Sequence, residues 1–161
     1  MKTSPLLRLL SVLILLLGAC SQAPAGSSSS PSSIPPPPRS EAEPDILEAA
    51  FRYQFEHNES AIRQNARRYC LTLTGGKEPD AELLRRFEGH EPPVVAAGQC
   101  DRASGKDLFF RAGIVEWEND STAIVRGGYY EGNLSSSREE LRVVWQDGRW
   151  VVQDKRLEVI S

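Results

Sequence analysis

The chain has 161 residues, enough for one ordinary domain. Its 19 Lys+Arg and 22 Asp+Glu give a formal charge of −3, and no basic run breaks the acidic balance. That composition argues against nucleic acid as a partner and against docking to a membrane by charge alone. The arginines are scattered among carboxylates and read as a solvated, mixed-charge surface.

The first residues have the pattern of an export signal. Lys2 and Arg8 form a positive start, and Leu9 to Leu17 is apolar apart from Ser11. Such a stretch is too short for a bilayer core of about 30 Å, which needs about 20 apolar residues. Gly18 and Ala19 follow, small enough for a peptidase groove. The run Leu17-Gly18-Ala19-Cys20 resembles the lipobox of bacterial lipoproteins, Leu-(Ala/Ser/Gly)-(Gly/Ala)-Cys. The resemblance covers about the first twenty residues. It implies that residues 1–19 are a cleaved signal peptide, that the Cys20 thiol carries a diacylglycerol, and that the new N-terminus is acylated. Two or three acyl chains hold a protein firmly to a membrane, whereas one does so marginally. The alternative is a cysteine that happens to end an ordinary signal peptide. Ser21, rather than Asp, follows Cys20, which implies the periplasmic face of the outer membrane if the source is Gram-negative. Cleavage removes Lys2 and Arg8, leaving 17 Lys+Arg against 22 Asp+Glu, a net of −5.

Residues 20–43 read as the anchor and a Ser/Pro-rich disordered tether. Ile34 is its one large apolar side chain, and Pro35 to Pro38 form a short polyproline II rod. Such a tether spans on the order of 25 Å as a coil and roughly 60–70 Å when stretched. A proline-motif ligand for a partner is the functional alternative.

Residues 44–161 are expected to form a single α+β domain. A first helix is predicted from Pro44 to about His57, with Ile46, Leu47, Ala50, Phe51 and Phe55 on one apolar stripe. Residues 58–66 fit either helix or loop. Arg68 to Thr74 alternates as a strand. Asp80 is placed to cap a short helix, Ala81 to Phe87, and Val94 to Gln99 is extended. From Lys106 the pattern has period two. It predicts strands at 108–118, with a bulge at Ala112-Gly113, then 122–133, bent at Gly127-Gly128, then 140–146 and 149–159. Asp147-Gly148 is a strong hairpin signal.

Helices before a meander indicate one or two N-terminal helices packed on a curved antiparallel sheet of four or more strands. Asp147-Gly148-Arg149-Trp150-Val151-Val152 resembles a hairpin common in cystatin-like and nuclear-transport-factor-two-like folds, which implies a cone-shaped sheet. Those folds host enzymes, binders and scaffold modules, so the resemblance implies no activity. The stretch from Tyr69-Cys70-Leu71 through Glu91-Pro92-Pro93-Val94 to Cys100 also resembles a class of uncharacterised bacterial exported proteins.

Cys70 and Cys100 are the two cysteines besides Cys20, and in an exported protein such a pair is most simply a disulfide. Two buried thiols are the alternative. The C-x-x-C redox spacing is absent, so no catalytic cysteine is assigned. His57 and His90 are the only histidines and lack metal-ligand spacing, so no metal or other cofactor is expected. Neither G-x-S-x-G nor a P-loop occurs. Trp117, Tyr129 and Tyr130 are the ligand-binding candidates, as aromatics that could line a cone, although adjacent tyrosines on a strand face opposite ways. The leading expectation is a non-catalytic binding or structural module that meets an envelope protein or wall component and is held to the membrane through Cys20. The alternatives are an apolar-ligand binder in the cone and an enzyme with its site there. Oligomeric state is left open.

Overall fold

Residues 34–131 and 136–160 are described in the computed structural model. They belong to one unit, Ser33–Ser161. The expected signal peptide, Cys20 and the expected tether up to residue 33 lie outside the described residues. No helix among the described residues is long and apolar enough to cross a membrane.

The architecture is α+β: one long helix, α1 (Arg39–His57), lies on a six-stranded sheet. The strands are β1 (Arg68–Leu73), β2 (Val94–Ala96), β3 (Asp107–Asn119), β4 (Thr122–Tyr130), β5 (Ser137–Gln146) and β6 (Arg149–Ile160). Their order is β2-β1-β3-β4-β5-β6. The expected antiparallel meander is present as β3 to β6. The sheet is wider than the four strands of that meander, because β1 pairs in parallel with both β3 and β2. A parallel neighbour needs a crossover of a dozen or more residues. Here the segment between β1 and β2 supplies one, and it includes the short helix α2 (Ala81–Arg85). Asp80 caps α2 as expected, accepting from the Leu83 amide at 2.8 Å.

α1 buries Ala42, Ile46, Leu47, Ala50, Phe51, Gln54 and Phe55 against the sheet. This is a helical stripe of i, i+4 steps. It meets Leu71, Leu108, Phe110, Ala112, Ala123, Val125, Leu141 and Val143, every second residue of their strands. The space between helix and sheet is filled by these side chains. Leu83 and Phe87 close one flank, with the Phe87 ring 5.6 Å from that of Phe55.

α1 begins at Arg39, five residues before the expected Pro44, which lies inside the helix. Tertiary contacts account for the early start. Ala42 is fully buried, the Arg39 guanidinium pairs with Asp120 at 2.9 Å, and it lies 5.1 Å from the Trp117 ring centre. Ahead of it, the Ile34 carbonyl accepts from Trp145 Nε1 at 2.7 Å. Residues 34–39 are therefore strapped to the end of the sheet that carries the β3–β4 and β5–β6 turns.

The β5–β6 turn has positive φ at Asp147 (52°) and Gly148 (79°), the paired left-handed residues of a two-residue hairpin. The β3 irregularities fall between Ile114 and Glu116 and between Trp117 and Asn119, not at Ala112-Gly113. Ala112 and Gly113 keep register with β4, and the exposed Val115 is the extra residue of the first shift. Residues 61–65 form turns, not a continuation of α1.

Candidate functional site

The face of the sheet away from α1 carries a groove of about 360 Å³. Strand register builds it. Phe109 of β3 pairs with Tyr130 of β4, and two residues along Arg111 pairs with Gly128. On the far side of Gly128 lies Arg138 of β5, whose Cα is 3.2 Å from where a Cβ on Gly128 would stand. Two arginines thus flank a position without a side chain, and that missing side chain is the floor of the groove. Gly128 has φ +143°, a backbone that side-chain-bearing residues rarely adopt, and a Cβ there would overlap the Ser137 carbonyl oxygen. The bend expected at Gly127-Gly128 therefore does local work: it brings β5 close and leaves the hollow.

A third arginine comes from the loop after Cys100. The guanidinium of Arg102 lies 5.0 Å from the Phe109 ring centre and 5.9 Å from that of Tyr130. A cation over an aromatic face is attracted by the ring quadrupole, so these rings hold Arg102 in place. Its loop is fixed twice. The disulfide between Cys70 and Cys100 ties the loop to the centre of β1. Asp107, buried at the start of β3, accepts from Arg68 Nη2 at 2.6 Å, from Arg67 Nη2 at 3.2 Å and from the Asp101 amide at 2.9 Å. Burial alone would raise the Asp107 pKa. The hydrogen bonds from Arg68, Arg67 and the Asp101 amide outweigh it and hold the carboxyl well below the usual carboxylate range.

Arg102, Arg111 and Arg138 are exposed, and none of their guanidinium groups has a carboxylate or hydrogen-bond partner among the described residues. Arginines further along the same strands are occupied. Arg126 pairs with Glu140 at 2.8 Å and Glu158 at 3.7 Å, and Arg142 with Glu118 at 2.9 Å. Arg85, Arg149, Arg156, Lys77 and Lys106 are also exposed without an ion pair among the described residues, but they stand apart from the groove lining; the groove differs in gathering three such arginines around one hollow.

The residues expected to line a ligand cavity are divided. Tyr129 and Tyr130 both border the groove, Tyr129 as a buried residue that also belongs to the core beneath it. Trp117 stands near the opposite end of β3, under Arg39 and edge-on to Trp150, 5.9 Å between ring centres. His90 lies in a loop against Phe55 and Tyr69, and His57 ends α1 stacked on Tyr53. Cys70, Cys100 and Asp107 place ligand-type atoms within 4.8 Å of one another. They do not fit a metal, since both sulfurs are in the disulfide and the Asp107 oxygens already accept from two guanidinia.

Two further carboxylates are buried on or near the α1 face. Glu131 accepts from the Ser60 hydroxyl and from the Ile62 amide at 3.3 Å. Glu139 is raised by burial, against the opposing pull of Lys155 and His57. Its folded pKa lies above the unfolded value of about 4.3, so the folded chain binds this proton more tightly. That contribution is complete below the unfolded value and is lost as pH rises through the folded one. Glu139→Gln is expected to be more stable than the parent at pH 7, with the difference shrinking toward pH 4. Urea unfolding across pH reads this, and an equal effect at both ends would refute it.

The fold and site define a class in structural terms: an α+β domain with one helix on an open, mostly antiparallel sheet and an arginine-lined groove on the uncovered face. No protein-family model, curated protein or solved structure matches the chain.

Proposed function

We propose that the chain is a membrane-anchored bacterial lipoprotein whose folded domain is a non-catalytic binding module of the cell envelope, at the periplasmic face of the outer membrane in a Gram-negative cell. The lipid on Cys20 is its membrane contact, and the groove is where it meets its partner. The observation that carries this reading is polarity. The strap at residues 34–39 lies at the turn end of the sheet, beside Trp145, Trp117 and Asp120. The groove lies at the other end, near the start of β3 and the end of β4. Phe109 and Asn119 are ten residues apart along β3, about 33 Å at strand rise. A tether entering at one pole leaves the other free to face outward.

The cystatin-like curvature belongs to the same proposal, supported by the Asp147-Gly148 hairpin and by α1 lying across β3, β4, β5 and β6. Phe51, Phe110, Leu71 and Leu141 fill the space under α1, which favours the groove over the interior as the working surface.

Membrane fractionation and site-specific photocrosslinking in cells test the reading. Cys20→Ala is expected to release the protein from membranes. A photoreactive residue at Tyr130 is expected to give crosslinked adducts that one at Ser121 does not. A parent protein found in the soluble fraction, or equal adducts from both poles, overturns it.

A further inference from the structure

We infer that the groove is an oxyanion site that takes a phosphate ester or diphosphate, held by Arg102, Arg111 and Arg138. The inference rests on the binding-module reading and names the chemistry of that site.

Three features carry it. The first is unbalanced charge: three guanidinia border one groove with no carboxylate partner among the described residues, although Glu140 and Glu158 lie near enough to engage Arg126. Like charges gathered without a counter-charge repel, and a bound anion relieves that repulsion. The second is spacing. Arg111 and Arg138 stand on strands on either side of β4, about 10 Å apart at two strand separations. Gly128 between them leaves the space in which both side chains can turn inward onto one group. The guanidinium fork matches the oxygen spacing of phosphate or carboxylate with two parallel N–H bonds. The third is preorganisation. Arg102 is already held over Phe109 and Tyr130, and its loop is pinned by the disulfide and by Asp107.

Three positive charges around one groove suit a multivalent anion better than a single carboxylate. Among the described residues no acidic side chain borders the groove to select a cationic group on the ligand. At about 360 Å³ the groove suits a small molecule or the headgroup of a larger one.

Titration calorimetry of the full mature protein in detergent micelles, with inorganic pyrophosphate as the probe, tests the inference. One site is expected. Arg111→Ala and Arg138→Ala are each expected to weaken it about tenfold or more, the usual loss for a charge-assisted hydrogen bond. Arg102→Ala is expected to weaken it as well. Arg126→Ala and Arg142→Ala, at arginines already paired, are expected to leave it within about twofold. Circular dichroism checks that each variant is folded, and Arg111→Gln serves if the alanine variant is not. Vesicles of phosphatidylcholine with and without phosphatidic acid separate the sources. Displacement of pyrophosphate only by the phosphatidic acid vesicles supports a lipid headgroup, and no displacement supports a soluble phosphate compound.

No uptake below about 5 mM pyrophosphate overturns the inference, as does equal uptake by the parent and the Arg111 and Arg138 variants. Succinate binding as tightly as pyrophosphate overturns the phosphate assignment. A groove that crosslinks a partner at Tyr130 but takes no pyrophosphate sinks this inference alone. Absence of both the adducts and the uptake sinks the binding-module reading too.

Discussion

Phe110→Ala is expected to destabilise the domain by about 3–5 kcal/mol, a large share of the roughly 5–15 kcal/mol that holds a typical domain folded. Phe110 is 1% exposed, and its ring centre lies 4.9 Å from those of both Phe55 and Tyr69. It joins α1 to β1 and β3 at the place where the core backs onto the groove. Truncation removes the transfer free energy of the ring and leaves a void that close-packed neighbours fill only in part. Urea unfolding should show the midpoint falling with little change in slope. A loss below about 1 kcal/mol would mean that the neighbours collapse into the space, contrary to the packing described.

Cys70→Ser with Cys100→Ser is expected to cost about 3–4 kcal/mol, the loop-closure figure for the 30-residue separation it spans. Most of that arises in the unfolded chain, which regains freedom that the crosslink denies it. Unfolding the parent in dithiothreitol should reproduce the loss, while the double variant should be indifferent to the reductant. If reductant leaves the parent unchanged although its thiols titrate as free, the crosslink does not carry this stability.

Much of this fold was legible because its determinants are local. The stripe from Ile46 to Phe55, the Asp80 cap, the Asp147-Gly148 turn and the period-two run after Lys106 each depend on residues a few positions apart. What was missed depends on register or distant contacts. Arg68–Leu73 reads as a strand from its own residues, but its parallel pairing with β3 follows from a crossover. Arg39 enters α1 because of Asp120 and Trp117, some eighty residues away. The groove was hidden for the same reason. Arg111, Gly128 and Arg138 are ordinary outward positions on three strands, and Arg102 is a loop residue. Only register puts the first three in one row, and only the fold brings Arg102 beside them. Tyr129 and Tyr130 were the groove residues singled out from their type alone.

The strap at residues 34–39 has a mechanical consequence. A pull on the chain at Ile34, resisted by a ligand in the groove, acts along the strands, because strap and groove lie at opposite ends of β3. Backbone hydrogen bonds in an antiparallel ladder run perpendicular to the strands. Such a load shears many of them at once instead of opening them one by one from a free end.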